Sequence, residues 1–358
     1  MQTEARETAT VMPDPLAAFA ASIFVWCGVP QDRAERAAWT LVRSDLRGIQ
    51  SHGVARLHLY VKALQEGLVD PVVDLTVERE SASTLVLDGH SGFALALAPE
   101  AMDRTIAKAQ ESGICMTVLR NSSHYGIAGG YVLQAAEAGL GAMSMTNAGP
   151  LVVPTGGIEA KFGTNPIAFA VPTGSGEPPF VVDMATSAVP WGKVEIARRL
   201  DTPLPQGVAM DGFGNPTTNG HDAAALSPLG GTRATGGHKG YCLAMIVDVL
   251  CGPLAGSLWG THLTSVFKTH DRSRLGQFFL AWRIDAFRDP AEFERDLKQM
   301  LQELRSTKTA EGWDQVLAPG DPEIAAERFH AAHGITLDPV VTMTLRDLGQ
   351  QSGVPFPV

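Results

Sequence analysis

A histidine, an arginine and a tyrosine follow one another at four-residue intervals, at His52, Arg56 and Tyr60. Residues four apart lie on the same face of an α-helix, so this spacing predicts one face that carries all three side chains. Arginine binds a carboxylate through paired hydrogen bonds, and histidine exchanges a proton near neutral pH. Together with the hydroxyl of Ser51, this face suits a small carboxylate substrate, whereas the alternative is a polar rim on an ordinary helical corner.

Two other residues could take part in chemistry. His124 follows an apolar segment typical of a strand, in a turn of small hydroxylic residues, which is a common position for a catalytic group. Lys239 follows Gly236 and Gly237 and precedes an apolar helix, so an ammonium group and free backbone N–H groups could bind a phosphate there. Taken singly, each position is explained better without a function: His124 as a turn histidine bonded to backbone, and Lys239 as a solvated lysine at a helix end.

The motifs of other enzyme classes are missing from the sequence. No G-x-G-x-x-G follows a predicted strand, so the Rossmann dinucleotide fingerprint is absent. The ten histidines show no H-E-x-x-H or similar ligand spacing, so we predict no metal site and find only weak support for a metal-dependent hydrolase.

Composition narrows the class of protein. The 358 residues carry a net charge of −10, which argues against a nucleic-acid surface. No apolar run approaches the ~20 residues that a membrane span requires. The N-terminal residues lack the basic-then-apolar order of a signal peptide, so we expect no membrane partner and a cytoplasmic location.

Two kinds of element must position the candidate residues. An amphipathic helix over 31–47 is predicted to stop at Gly48, and a second helix is predicted to begin at Ser51 as its N-cap. Further along the chain, strands alternate with helices, which indicates an α/β domain. Residues 201–237, rich in Gly, Pro, Thr and Asn, predict a long inserted loop.

Six segments, in order along the chain, resemble the malate/L-lactate dehydrogenase family, which also contains ureidoglycolate dehydrogenase, sulfolactate dehydrogenase and diketogulonate reductase. The segments are 45–53 (DLRGIQSHG), 121–126 (NSSHYG), 163–166 (GTNP), 183–187 (DMATS), 238–241 (HKGY) and 319–321 (PGD). Each is weakly specific by itself, but together they extend the resemblance over nearly the whole chain.

The resemblance implies an NAD- or NADP-dependent oxidoreductase that interconverts a 2-hydroxy acid and a 2-oxo acid and acts as a homodimer. Some relatives reduce a cyclic imino acid instead, and a metal-dependent hydrolase and a catalytically silent binding protein are two rival hypotheses. The implied fold is α/β but not Rossmann: a sulfolactate dehydrogenase-like fold with a largely antiparallel or mixed sheet. We expect a helical domain formed by residues 1–72 with 288–358, its N- and C-terminal segments packed together, and a cofactor domain over 73–287.

The resemblance also assigns roles to residues of this chain. His124 and His52 fall on catalytic positions, and which of them donates the proton stays open. Ser51, Arg56 and Tyr60 fall on substrate-binding positions. The residues on cofactor-binding positions are Ala148, Val182, Asp183, Met184, Thr186, Ser187, Lys239, Pro319, Gly320 and Asp321.

Overall fold

The computed structural model describes residues 8–174, 176–264 and 271–357. Within these residues the α-helices are α1 Pro13–Trp26, α2 Gln31–Leu46, α3 Leu57–Gln65, α4 Ala94–Ser112, α5 Gly129–Glu137, α6 Trp191–Leu200, α7 Gly237–Cys251, α8 Pro290–Arg305, α9 Asp321–His333 and α10 Pro339–Ser352. The strands are β1 Ala9–Val11, β2 Thr76–Glu80, β3 Thr84–Asp88, β4 Ile114–Ser122, β5 Leu140–Thr146, β6 Ile167–Val171, β7 Phe180–Met184, β8 Ala209–Met210, β9 Pro216–Thr217, β10 Ala225–Leu226, β11 Leu275–Arg283 and β12 Ile335–Leu337.

A seven-stranded mixed sheet forms the centre of the structure, in the order β2-β3-β4-β11-β5-β6-β7. Among these described strands, β3 and β4 run parallel and all other neighbours run antiparallel. The sheet therefore confirms the expected α/β fold without a Rossmann strand order.

Helices cover both faces of the central sheet. Successive residues of a strand point to opposite faces, and β11 shows this directly. Phe279 packs into the apolar cluster formed with α4 and α5, whereas Phe278 packs into the cluster formed with α7. The middle strands of the sheet are therefore buried on both sides, which makes them a rigid support for the residues at their ends.

The N-terminal and C-terminal segments pack together, as the resemblance implies. Helices α1, α2 and α3 share one apolar cluster with Leu345 and Leu348 of α10. Strand β1 pairs antiparallel with β12, with Ala9 opposite Leu337 and Val11 opposite Ile335. Helix α8 instead packs Leu297 against the sheet beside β6. The division into two domains stays a prediction.

Residues 201–237 form more than a loop. Strands β8, β9 and β10 make a small antiparallel sheet in the order β10-β8-β9. Its buried residues Ala209 and Leu226 pack with Val194 and Ala197 of α6. The expectation of a plain loop was wrong because two-residue strands are too short to show an alternating apolar pattern.

None of the helices in the described ranges is both long and apolar enough to cross a lipid bilayer.

Candidate active site

The turn after α2 fixes the backbone just before His52. Helix α2 ends with Gly48 at a φ of +77°, in the left-handed conformation that the sequence predicts. The carbonyl of Ser44 accepts the Ile49 N–H at 2.9 Å, and the Ser44 hydroxyl donates to the Ile49 carbonyl at 2.8 Å. Because Ser44 is bonded to Ile49 in both directions, the chain leaves α2 along a defined path.

The prediction that a helix begins at Ser51 was wrong. Two short 3₁₀ turns, Gln50–His52 and Val54–Arg56, precede α3, which begins only at Leu57. The extended backbone of Gly53 separates the two turns and interrupts any continuous helix. The Ser51 hydroxyl does not cap a helix but lies 2.8 Å from Nδ1 of His52, so it orients the imidazole ring.

Tyr60 and the two candidate histidines form one array. Tyr60, in α3, is 3% exposed, and its hydroxyl lies 2.6 Å from Nδ1 of His124. The ring of His52 stacks on the ring of His124, with 5.8 Å between centroids and 20° between planes. The structure therefore brings both histidines together, although they come from distant parts of the chain.

The residue before His124 is anchored in the interior. The Ser123 hydroxyl accepts the Ala94 N–H and donates to the Gly92 carbonyl, each at 3.0 Å. The Ser123 carbonyl accepts a hydrogen bond from the buried side chain of Gln277 at 3.0 Å. These bonds fix the chain where it leaves β4, and so they fix the imidazole of His124.

Arg56 supplies the positive charge of the array. Its Nε donates to the Ser51 carbonyl. Burial, with the charge of Arg56 as a second cause, lowers the pKa of His52 to about 4. Burial, then His52 and Arg56, holds the pKa of His124 well below its usual value. Both imidazoles are therefore neutral at pH 7, and burial is the main cause.

Tyr60 stays protonated in the same array. Burial raises the pKa of its hydroxyl above the usual value, and the charge of Arg56 opposes this only in part. Tyr60 therefore acts on His124 as a neutral hydroxyl group.

An open cleft of about 380 Å³ gathers four of the predicted cofactor-binding residues. It is lined by Val182 and Asp183 at the end of β7 and by Pro319 and Gly320 before α9. Ile49 and Ile127 also line it, and each lies three residues along the chain from one of the paired histidines. The cleft therefore lies beside the array.

Asp183 and Glu323 are both acidic residues of this cleft, and Asp183 is the one at the end of β7. One of its oxygens accepts the N–H of Gly129, the first residue of α5, at 2.7 Å. Burial raises the pKa of Asp183 to about 6, while the Gly129 N–H and Arg47 oppose the shift. A carboxylate beside a helix N-terminus and a cation stays available to accept hydrogen bonds from the hydroxyls of a bound molecule.

Asp321 stabilises the turn that forms one wall of the cleft. Its carboxylate pairs with Arg305 at 2.6 and 2.9 Å and accepts the Ala318 N–H at 2.8 Å. These bonds shape the turn that presents Pro319 and Gly320.

Met184, another predicted cofactor-binding residue, follows Asp183 at the end of β7 and is exposed.

The other predicted cofactor-binding residues form a second group beyond β7. The Thr186 hydroxyl donates to the Asn165 carbonyl at 3.0 Å, and the Asn165 side chain accepts the Ala148 N–H at 3.1 Å. The Thr186 carbonyl accepts the Leu229 N–H at 2.8 Å, while the Ser187 hydroxyl donates to a nearby backbone carbonyl.

Lys239 is exposed in the first turn of α7. Gly240 packs directly on Leu229, because a Cβ on Gly240 would overlap the backbone of Leu229. Leu229 in turn is bonded to Thr186, so the start of α7 is tied to the second group. The N–H groups of Gly237 and Lys239 donate to the Thr232 and Gly236 carbonyls, so it is the exposed ammonium group of Lys239 at this helix start that fits a phosphate group.

The cleft residues that sequence reasoning missed include Arg47, Gly129 and Glu323. Arg47 is almost fully buried and pairs with Glu327 of α9 at 2.8 Å. Its place inside the 45–53 segment was the available signal, whereas nothing local in the sequence marks Gly129 or Glu323. Among the residues that the structure describes, no three or more His, Cys, Asp or Glu side chains are grouped as metal ligands.

The structure thus combines a mixed sheet, two paired histidines, an arginine and an open cleft. The sequence model for malate/L-lactate dehydrogenase matches residues 11–346. The chain therefore belongs to the malate/L-lactate dehydrogenase family, and it is an enzyme of the dehydrogenase and reductase type.

Individual relatives agree with this assignment. A malate dehydrogenase of Pyrococcus horikoshii is 38% identical over 348 residues, covering 96% of both chains. A ureidoglycolate dehydrogenase (NAD(+)) of Escherichia coli O157:H7 is 34% identical and covers 87% of both. The crystal structure of malate dehydrogenase from Entamoeba histolytica matches with a TM-score of 0.93 and 31% identity, over 98% of this chain and all of that one.

Proposed function

We propose that this enzyme interconverts a small 2-hydroxy acid and the matching 2-oxo acid with a nicotinamide cofactor, NAD or NADP. The observation that carries the proposal is the array of His52, His124, Tyr60 and Arg56 beside the cleft that contains Asp183. Two imidazole rings can exchange a proton with an oxygen on C2, and a guanidinium group can bind the carboxylate next to it, so the array suits a 2-hydroxy or 2-oxo acid. The names of the malate and ureidoglycolate relatives support the same substrate class.

Arg56 binds the substrate carboxylate in this proposal, and Ser51 and Tyr60 complete the substrate side. The guanidinium of Arg56 forms paired hydrogen bonds with a carboxylate. The Ser51 carbonyl accepts a hydrogen bond from Nε of Arg56, and in our proposal the two terminal NH₂ groups bind the carboxylate. A bound carboxylate also offsets the positive charge that depresses the pKa of His52 and His124.

His124 is the residue that we assign to proton exchange on the 2-oxygen. The Tyr60 hydroxyl and the Gly126 N–H both lie at Nδ1 of His124, which leaves Nε2 to exchange the proton with the 2-oxygen. His52, stacked on His124, is the second candidate for this exchange.

A nicotinamide cofactor would supply the hydride exchange at C2. In our proposal its site in the cleft is lined by Asp183, Val182, Pro319 and Gly320, and Asp183 would accept hydrogen bonds from its hydroxyl groups. Lys239 and the start of α7 suit its phosphates, with Ala148, Met184, Thr186, Ser187 and Asp321 completing the predicted set. This donor set fits a nicotinamide dinucleotide, because it combines a carboxylate for ribose with a cationic helix start for phosphate.

The test is the oxidation of NADH and of NADPH, followed by absorbance, against a panel of 2-oxo acids and cyclic imino acids. We expect turnover with a 2-oxo acid such as oxaloacetate, and the better cofactor identifies NAD or NADP. Turnover with imino acids alone would replace the proposal with a C=N reductase, which the names of the relatives support less. No turnover together with no cofactor binding by calorimetry would favour a metal-dependent hydrolase instead, which should contain bound metal and lose its hydrolase activity with a chelator.

We also propose a homodimer that acts in the cytoplasm. Analytical ultracentrifugation of the full chain tests the first point, with a species of about twice 38.0 kDa as the expected result. Fractionation of the source cells tests the second.

A further inference from the structure

Asp45 is a buried acid beneath the turn that carries His52. It lies in the last turn of α2 and is 1% exposed. One carboxyl oxygen accepts the N–H of Val54 at 2.8 Å. The turn bonds of Gly53 and Arg56 run to Gln50 and Gly53 within the same segment, whereas the bond from Val54 ties this segment to α2.

Gly53 makes room for that carboxyl group. A Cβ built on Gly53 would overlap the carboxyl atoms of Asp45. The φ of Gly53 is −87°, which any residue adopts, so space and not backbone conformation requires glycine here. Asp45 and Gly53 therefore form a matched pair between α2 and the turn.

We infer that Asp45 is a positioning residue for the proposed reaction: its carboxyl group fixes the backbone of residues 52–54 and thereby holds His52 against His124 and Arg56 against Ser51. The inference rests on the proposed function, because it names what orients that site. Asp45 acts through the backbone, since its carboxyl group lies under the turn and bonds to Val54.

The cost of burying Asp45 supports a role in orientation. Burial raises the pKa of its carboxyl to about 7, and the Val54 N–H only partly offsets this. A buried ionisable group stabilises a fold weakly, and an apolar residue of similar size often does better. The carboxyl group bonds to Val54, two residues after His52. Orientation of this turn therefore explains why the acid is buried, whereas a contribution to stability does not.

Two variants at Asp45 separate the hydrogen bond from general disruption. Asp45→Ala removes the acceptor, whereas Asp45→Asn keeps an acceptor oxygen in a side chain of the same size. Asp289→Ala is the matched control, because Asp289 also accepts backbone N–H groups, those of Ala291 and Glu292 at the start of α8.

We expect Asp45→Ala to lower kcat/KM for the 2-oxo acid by up to about 100-fold, as small misplacements of catalytic groups do. Asp45→Asn should restore most of that loss. Asp289→Ala should lower Tm and leave kcat/KM close to that of the unmodified enzyme.

An NMR measurement tests the inference without turnover. The ¹⁵N-labelled imidazole signals of His52 and His124, assigned with His52→Gln and His124→Gln, should shift in Asp45→Ala and stay near their original positions in Asp45→Asn. If the unmodified enzyme turned over no substrate of the panel, the proposed function would fail while these spectra still tested Asp45.

A folded Asp45→Ala protein with unchanged kcat/KM and unchanged imidazole signals would overturn the inference. If Asp45→Ala does not fold, Gly53→Ala provides the second test, because the added methyl displaces the same carboxyl group. Unchanged kinetics and spectra in Gly53→Ala would overturn it as well, and a matching loss would support it.

Discussion

Removal of the Tyr60 hydroxyl is the sharpest test of how His124 works. Tyr60→Phe keeps the ring that packs near Phe93, with 6.0 Å between centroids, and deletes only the oxygen that lies 2.6 Å from Nδ1 of His124. The Gly126 N–H, which reaches the same nitrogen at 3.3 Å, stays in place. The variant therefore weakens the orientation of one ring and leaves the apolar packing intact.

The expected loss follows from the strength of this one bond. Because the Gly126 N–H still contacts Nδ1, the loss is that of a typical hydrogen bond, about 0.5–1.5 kcal/mol. If that cost falls on the transition state, it corresponds to roughly a 2- to 13-fold decrease in rate. We therefore expect kcat to fall within this range, with a small change in KM because Arg56 is untouched.

Steady-state assay of 2-oxo acid reduction checks this, with Tyr125→Phe as the control. Tyr125 is equally buried, but its hydroxyl lies 3.2 Å from Ser144 in the core, so its loss should affect Tm more than kcat. If Tyr60→Phe kept full kcat, or if Tyr125→Phe lost as much, the hydroxyl of Tyr60 would have no special role in orienting His124.

Three other perturbations test the rest of the site. His124→Ala and His52→Ala should each lower turnover by about 10²–10⁴-fold, the typical contribution of a general acid or base. Full turnover in both variants would contradict the acid–base assignment. Arg56→Ala should raise KM for carboxylate substrates in steady-state assays while cofactor affinity, measured by fluorescence titration, stays constant; an unchanged KM would remove its assigned role. Asp183→Asn should weaken cofactor binding in the same titration and raise Tm at pH 8. The pKa of Asp183 in the folded protein, about 6, lies above the usual 3.8. The contribution of Asp183 to the free energy of unfolding is therefore fully present below pH 3.8 and is lost as the pH rises through 6. An equal Tm difference between the variant and the unmodified enzyme at pH 3.5 and at pH 8 would contradict this.

Elements with a local cause were predictable from the sequence. Gly48 ends α2 because glycine adopts a left-handed conformation, and the alternation of strands with helices indicated the α/β fold that the central sheet confirms. The 45–53 segment was also recognisable as a candidate site, since it carries unusual residue types close together. Local propensity and motif chemistry sufficed for these features.

Features that depend on distant residues were not predictable. Tyr60 and His124 are separated by 64 positions, and no local pattern shows that they meet. The depressed pKa of His52 depends on burial by other elements. Strands β1 and β12 have three residues each and pair across nearly the whole chain, so neither shows a pattern of its own.

The pairing of β1 with β12 has a consequence for synthesis on the ribosome. The apolar cluster around α1–α3 includes Ile335 and Leu348, and Arg47 finds its partner in Glu327. At translation rates of about 5–20 residues per second, these partners emerge roughly 15–60 s after the His52 turn. During this time the apolar faces of the N-terminal helices lack their C-terminal partners and stay exposed. Chaperones should therefore bind mainly those nascent chains that already include α3 but not yet α10.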